Sequence, residues 1–124
     1  MRYALAAVIL ATATVAEAAP SSEAAELEQT VRAASRFEAI ARVCPTLIPT
    51  DVDRSRVYSE TYIKAARRFD QDRTNAMMPD EMKRRITEVQ ITGEQRWCED
   101  QRRYLHEVGA GEVFPVANSR SKRR

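Results

Sequence analysis

The sequence predicts an all-α protein, a small bundle of three or four helices held by one disulfide. Three observations point to this class. Apolar residues recur at steps of three and four along most of the chain, which is the spacing that lines up one face of a helix. Stretches that alternate apolar and polar residues, as half-buried strands require, are nearly absent. The chain contains two cysteines, far apart in sequence, that can join two of the helices.

Residues 1–18 have the three-part order of a secretory signal peptide. Arg2 supplies the early positive charge, an apolar stretch interrupted only by threonines runs from Tyr3 to Ala16, and Ala16-Glu17-Ala18 matches a small-residue cleavage site. The apolar stretch is shorter than the roughly 20 residues that a membrane-spanning helix needs. We expect cleavage after Ala18 and export to the bacterial periplasm or the medium. The alternative is a buried N-terminal helix, which leaves the cleavage pattern unexplained.

Cys44 and Cys98 are expected to form one disulfide, because an even number of cysteines in an exported chain normally pairs. The alternative is two thiols that are free or bind a metal. It is not favoured, since no C-x-x-C motif occurs and His106 is the single histidine of the chain. The predicted domain, residues 19–118, is small enough for such a link to matter to its stability.

The first two helices are predicted from their apolar positions and their ends. One helix runs from Glu23 to Cys44 and stops at Pro45, because the residue before a proline avoids helical geometry. After a loop, Thr50 with Asp53 can cap the second helix, which is expected to end near residues 73–75. The apolar stripe of the first helix consists of Leu27, Val31, Ala34, Phe37, Ile40 and Cys44. The stripe of the second consists of Val57 or Tyr58, Tyr62, Ala65 or Ala66, and Phe69.

The next helical region is expected to start at Pro79, because proline is tolerated at the first position of a helix. Helical spacing continues to Gly109, a suitable helix end. Gly93 lies in the middle, where a glycine costs about 1 kcal/mol relative to alanine, and Thr92 to Gln95 also fits a capping box. This region is therefore either one helix or two helices that meet near Thr92.

The C-terminal part of the chain supplies two further core elements. Trp97 adjoins Cys98, and we expect it to be a core residue whose indole N–H finds a hydrogen-bond partner. The apolar residues around Pro115, at 113–116, are expected to pack back onto the helices. The basic tail, residues 119–124, is expected to be disordered in solvent or else to contact anionic headgroups of a membrane surface.

The segment between the second and third helical regions resembles an EF-hand calcium loop. The candidate ligands, at loop positions 1, 3, 5, 7 and 12, are Asp70, Asp72, Thr74, the carbonyl of Ala76, and Glu81. Calcium needs several oxygen ligands, which alternate side chains and a carboxylate from the next helix can supply. The pattern departs at Asn75, which replaces the usual glycine, and at Met78, which offers no oxygen. The resemblance implies a single calcium-binding module; the alternative is an ordinary Asp-rich loop.

Two adjacent pentapeptides, Ile86–Gln90 and Ile91–Gln95, are similar to the L-T-x-x-Q signature of the periplasmic helical stress chaperones, in which threonine caps a helix. Those proteins place the two copies far apart and as a rule lack a disulfide. The layout of a short exported helical chain with one disulfide also looks like the acid-stress chaperones of the periplasm. These likenesses imply a protein that binds other proteins. The alternative is that the threonines only cap helices.

Enzyme chemistry finds little support in the sequence. The only candidate histidine base, His106, lies near a helix end where a structural role is the simpler interpretation, and no phosphate loop or dinucleotide fingerprint occurs. A net charge of +2 creates no field that would attract nucleic acid. We therefore expect no catalytic residue, cofactor or metal site, and a protein that binds another envelope protein through a helix face. A calcium module at Asp70 to Glu81 is the second hypothesis.

Overall fold

A computed structural model describes the backbone of residues 3–116 and the side chains of residues 22–116. This part of the chain contains no strand, and its elements are α1 (Tyr3–Val43), α2 (Val52–Phe69), α3 (Gln71–Thr92), α4 (Glu94–Glu107) and a 3-10 turn (Gly111–Val113). The all-α prediction is confirmed, and the region before Gly109 contains two helices. The predicted signal peptide, residues 1–18, lies outside the described side chains, and the basic tail, residues 119–124, lies outside the described residues.

Helix α1 is the element against which the other three α-helices pack. Its predicted apolar stripe is confirmed, because every member is at most 4% exposed: Leu27, Val31, Ala34, Phe37, Ile40 and Cys44. The helix ends at Val43, as Pro45 requires. The predicted start at Glu23 is wrong, since the helical backbone extends back to Tyr3.

Helix α2 lies against α1 through small polar side chains. The Ser55 hydroxyl donates to the Phe37 carbonyl at 2.6 Å, and the Ser59 hydroxyl donates to the Ala34 carbonyl at 2.9 Å. With Ala66, these serines are the buried residues of α2. Because the serine side chains are short and their hydroxyls donate to carbonyls of α1, the backbones of α1 and α2 can approach closely without leaving these buried hydroxyls unpaired.

The predicted apolar stripe of α2 is therefore only partly right. Ala66 is buried, and Tyr58, the alternative to Val57, is half-buried and stacks on Phe37. Three other large members are exposed: Val57 at 62%, Tyr62 at 37% and Phe69 at 56%. The serines occupy the face of α2 that contacts α1, and the large side chains lie outside that face. The cap prediction is also wrong by one residue, because Asp51, not Thr50, accepts the Arg54 N–H at 3.0 Å.

A single residue, Asp70, separates α2 from α3. Its N–H donates to the Ala66 carbonyl at 2.9 Å, and its carboxylate accepts the Arg73 N–H at 3.1 Å. The predictions that α2 continues to residues 73–75 and that the next helix starts at Pro79 are both wrong. Because Asp70 satisfies a first-turn amide, α3 begins at Gln71, and Pro79 lies inside it.

Two glycines in left-handed geometry set the limits of α4. Gly93, with φ +94°, ends α3, and Gly109, with φ +87°, follows α4. A side chain with a Cβ is disfavoured at such angles, so Gly93 explains why this region contains two helices. The expected capping box at Thr92 does not form, since α4 has no side-chain cap. The role of Gly109 as a helix end is confirmed by the Ala110 N–H, which donates to the Leu105 carbonyl at 2.8 Å.

The interior contains two apolar clusters. The larger one, which we call the disulfide cluster, surrounds the predicted Cys44–Cys98 bridge, whose Cα atoms are 5.7 Å apart. It includes Phe37, Ile40, Ile48, Val89, Trp97, Leu105, Val113 and Phe114. The smaller one, the methionine cluster, consists of Leu27, Val31 and Ala66 with Met77 and Met78 packed against it. The burial of Val113 and Phe114 confirms that the C-terminal segment packs back onto the helices.

Charged and polar side chains separate the two clusters along α1 and α3. We call this set the polar layer; it consists of Arg32, Ser35, Glu81, Arg85 and Glu88. The Arg85 guanidinium donates to the Ser35 hydroxyl at 3.2 Å, to the Arg32 carbonyl at 2.9 Å and to the Glu88 carboxylate at 3.2 Å. A guanidinium can be buried here because each of its three nitrogens donates to an acceptor.

Candidate functional site

A groove with a volume of about 240 Å³ lies where α1, α2 and α4 meet, and we call it the aromatic groove. Its lining consists of Ala33, Arg36 and Phe37 of α1, Tyr58 and Tyr62 of α2, Tyr104, Leu105 and Val108 of α4, and Gly109 and Ala110 beyond it. Two further hollows of the described part draw their lining from fewer elements. The aromatic groove is therefore the candidate site, because side chains from three helices converge on it.

Three aromatic rings form one side of this groove. Phe37 stacks against Tyr58 with ring centroids 4.7 Å apart, and against Tyr62 with centroids 6.0 Å apart. Tyr58 and Tyr62 are four residues apart on α2, so both rings lie on the same face of the helix. Stacked rings hold one another in place and leave their outer edges available for contact.

The Tyr58 hydroxyl fixes the end of the groove nearest the C-terminal turn. It donates to the Glu112 carboxylate at 2.5 Å. This hydrogen bond is the main reason that the pKa of Tyr58 is raised and that the pKa of Glu112 is lowered. Because the bond needs a protonated phenol and an ionised carboxylate, it is present throughout the neutral pH range.

Arg36 lies between the rings and the polar layer. Its guanidinium carbon is 4.4 Å from the centroid of the Tyr104 ring, a cation–π contact, and its Nη1 donates to the Gln101 side-chain oxygen. Burial, reinforced by repulsion from Arg85, lowers the pKa of Arg36. Arg36 forms no ion pair with a carboxylate of residues 22–116. The charge of Glu88 acts on Arg36 from beyond ion-pair distance, and Glu88 itself pairs with Arg85.

Glu88 links the groove side of the polar layer to the disulfide cluster. It accepts the indole N–H of Trp97 at 3.0 Å, which confirms the partner predicted for that tryptophan. Burial alone would raise the pKa of Glu88, but the Trp97 hydrogen bond and the charges of Arg85 and Arg36 outweigh it, and the pKa is lowered. Glu88 is consequently an anion at neutral pH. It pairs with Arg85 and accepts the hydrogen bond of Trp97.

The segment that resembles an EF-hand loop is not a loop in the structure. Residues 71–92 are helical, so the exposed Asp72 lies on the other side of α3 from the buried Thr74 and Glu81. Thr74 and Glu81 share a face but are seven residues apart, about 10 Å along the helix axis, so these side chains do not surround one ion. Asp70 is used as a cap, Thr74 is buried, and Glu81 is 4% exposed and pairs with Arg32 at 3.6 Å. Within residues 22–116, no group of three or more acidic, cysteine or histidine side chains could hold a metal ion.

Asp70→Ala is expected to lower the free energy of unfolding by about 1 kcal/mol, because α3 loses its N-cap. The loss should be the same in millimolar calcium and in chelator, measured by thermal unfolding. Asp72→Ala is the matched control, since this exposed neighbour in the first turn is not the cap. A calcium-dependent rise in the Tm of the wild type that Asp70→Ala removes would restore the loop hypothesis.

The other sequence-predicted positions have structural surroundings. The Thr87 hydroxyl donates to the Lys83 carbonyl inside α3, so this threonine of the chaperone-like pentapeptides does not cap a helix. His106 is exposed and lies so close to Gly111 that a Cβ there would be 2.4 Å from its Nδ1. His106 therefore lies against the backbone of the C-terminal turn.

Arg36 and Gln101 are not among the site residues predicted from the sequence. One signal was available for Arg36: none of the residues three or four positions away, on either side, is acidic. The other half-buried arginine of α1, Arg32, has Glu28 four positions before it and pairs with it at 2.9 Å. An arginine without such a neighbour must pair across helices or remain without a carboxylate.

Comparison with protein-family models, with curated proteins and with solved structures finds no match to this chain. Among its described helices, none is both long and apolar enough to cross a membrane.

Proposed function

We propose that this chain is an exported protein of the bacterial envelope that has no enzymatic activity and binds another protein in the aromatic groove. The observation that carries the proposal is the partial exposure of two aromatic rings in one concave surface, 37% for Tyr62 and 43% for Tyr104. Tyrosines that are already held by stacking or by a cation lose little conformational entropy on binding, which is why they recur in protein interfaces.

The proposed compartment has two supports. The order of residues 1–18 is that of a signal peptide, and the Cys44–Cys98 bridge suits an oxidising compartment. The proposed absence of catalysis has a chemical support as well. Within residues 22–116 both cysteines are oxidised, and the lone histidine lies outside the groove lining, so a nucleophile with its base is not assembled there.

We expect a photo-crosslinking amino acid at position 62 or 104 to capture one defined protein in bacteria that express the entire 124-residue chain. The same group at Ile91, which is 81% exposed and outside the groove lining, is the control and should capture none. Tyr62→Ala with Tyr104→Ala should weaken binding of the purified partner at least about tenfold. Adducts that form equally from position 91, or none from the groove positions, would contradict the proposal.

A further inference from the structure

We propose that the segment bound in the aromatic groove is an acidic-aromatic peptide segment, with a carboxylate that pairs with Arg36 and an adjacent aromatic or large aliphatic side chain that packs on the rings. This inference rests on the proposed function and specifies the chemistry of the partner. It is carried by the charge of Arg36 and by the shape of the surface around it.

Arg36 differs from the comparable arginines of the described chain. Four arginines of residues 22–116 are buried or half-buried: Arg32, Arg36, Arg85 and Arg102. Three of them have a carboxylate partner, and Arg36 does not. Glu88 offsets part of the charge of Arg36, but it is not within ion-pair distance and is paired with Arg85. A guanidinium taken out of water without a directly paired anion is unfavourable, so a bound carboxylate would relieve at Arg36 a cost that the other three do not carry.

The guanidinium of Arg36 is also held in one place. Gln101 accepts from Nη1, and the Tyr104 ring covers one face, while Nε and Nη2 have no hydrogen-bond partner within residues 22–116. These two nitrogens form one edge of the planar group, which matches the two oxygens of a carboxylate. Because the side chain is already ordered, pairing requires little further loss of rotamer freedom.

The surroundings favour a peptide segment over a small anion or a cofactor. The volume of about 240 Å³ is below the roughly 300–1,000 Å³ of typical small-molecule pockets, and it suits one or two side chains of a longer segment. Next to Arg36, the partly exposed rings of Tyr62 and Tyr104 and the exposed Val108 offer apolar contact that a small inorganic anion cannot use. Basic segments, including the chain's own tail, are disfavoured because Arg36 repels them.

The test is selection of random heptapeptides displayed on phage against the entire chain, followed by affinity measurements on the recovered peptides. We expect the recovered sequences to combine Asp or Glu with a neighbouring Trp, Phe, Tyr or Leu. Arg36→Gln should weaken their binding about tenfold or more, as loss of a charge-assisted pair does. Arg36→Lys should weaken it less, because the charge remains. Arg102→Gln is the matched control, a half-buried arginine that already pairs with Glu99, and should leave the affinity unchanged.

The outcomes separate this inference from the proposed function. Peptides that need Tyr62 and Tyr104 but bind Arg36→Gln as tightly as the wild type would overturn the inference and leave the groove as a docking site. Selection without acidic enrichment, or without any recovered binder, would overturn it as well. Replacing Asp and Glu by Asn and Gln in a recovered peptide should reproduce the loss seen with Arg36→Gln, and an unchanged affinity would refute the pairing. Thermal unfolding of each variant verifies that the fold is intact.

Discussion

Cys98→Ser is expected to lower the free energy of unfolding by about 4 kcal/mol. The bridge closes a loop with a sequence separation of 54 residues, and a loop of this length restricts the unfolded chain by about that amount in the chain-entropy model. For a domain of about 100 residues each kcal/mol corresponds to about 4–8 °C, so the Tm should fall by roughly 15–30 °C. Circular dichroism during thermal unfolding measures the change.

The double variant Cys44→Ser with Cys98→Ser is the control for an unpaired thiol. It should unfold at nearly the same temperature as Cys98→Ser, and full reduction of the wild type should bring its Tm close to both. All three comparisons remove the same bridge from the disulfide cluster, where both sulfurs are buried. A Tm that stays within about 2 °C of the wild type in every case would show that the bridge contributes little to stability.

Arg85→Met is expected to destabilise the protein by about 3 kcal/mol. Methionine keeps much of the side-chain length but removes the donors to the Ser35 hydroxyl and the Arg32 carbonyl, which are charge-assisted bonds in the interior. The pair with Glu88 adds less, because the Glu88 side chain is 45% exposed and solvent screens it. Urea unfolding of the wild type and the variant measures the difference.

Arg84→Met is the matched control at the neighbouring position. Arg84 is 59% exposed and lies 3.9 Å from Glu81, so its loss should cost less than about 1 kcal/mol. Equal effects of the two substitutions would contradict the structural role of the polar layer.

The pH dependence adds a second readout for Arg85. The pKa of Glu88 is lowered in the folded protein, so its ionised form contributes stability that is present above its ordinary pKa of 4.5 and is lost as the pH falls through the lower folded-state value. The difference in stability between the wild type and Arg85→Met should therefore narrow in acid.

Features of the fold that depend on local periodicity could be predicted from the sequence. The buried stripe of α1 follows from spacing alone, and Gly109 follows from the geometry that a helix end requires. The Cys44–Cys98 pair follows from counting cysteines in a chain with a signal-like start. The stripe and the helix end depend on residues that are near one another in sequence. The disulfide could be predicted because each cysteine has only one possible partner in the sequence.

Features that depend on contacts between helices could not be predicted. From the sequence alone, the polar side chains of Ser55 and Ser59 would be expected to face solvent. They are buried because their hydroxyls donate to backbone carbonyls of α1, which lie far away in sequence. Asp70 fits a calcium ligand and a helix cap equally well, because the same oxygen serves both purposes. Arg36 differs from the other buried or half-buried arginines of residues 22–116 because it lacks a paired carboxylate, which only the structure shows. Its hydrogen-bond partner Gln101 lies on a different helix.

The two apolar clusters also differ in how they are held, and this has a consequence for local opening. The disulfide cluster has a covalent link between α1 and α4, whereas the methionine cluster joins α1, α2 and α3 through side-chain packing alone. Backbone amide hydrogens around the methionine cluster should therefore exchange with solvent through partial opening of the fold. Amide hydrogens near the bridge should exchange only through global unfolding. Phe37 and Leu105, which line the aromatic groove, belong to the disulfide cluster, so this part of the proposed docking surface should persist while the opposite end of the bundle opens.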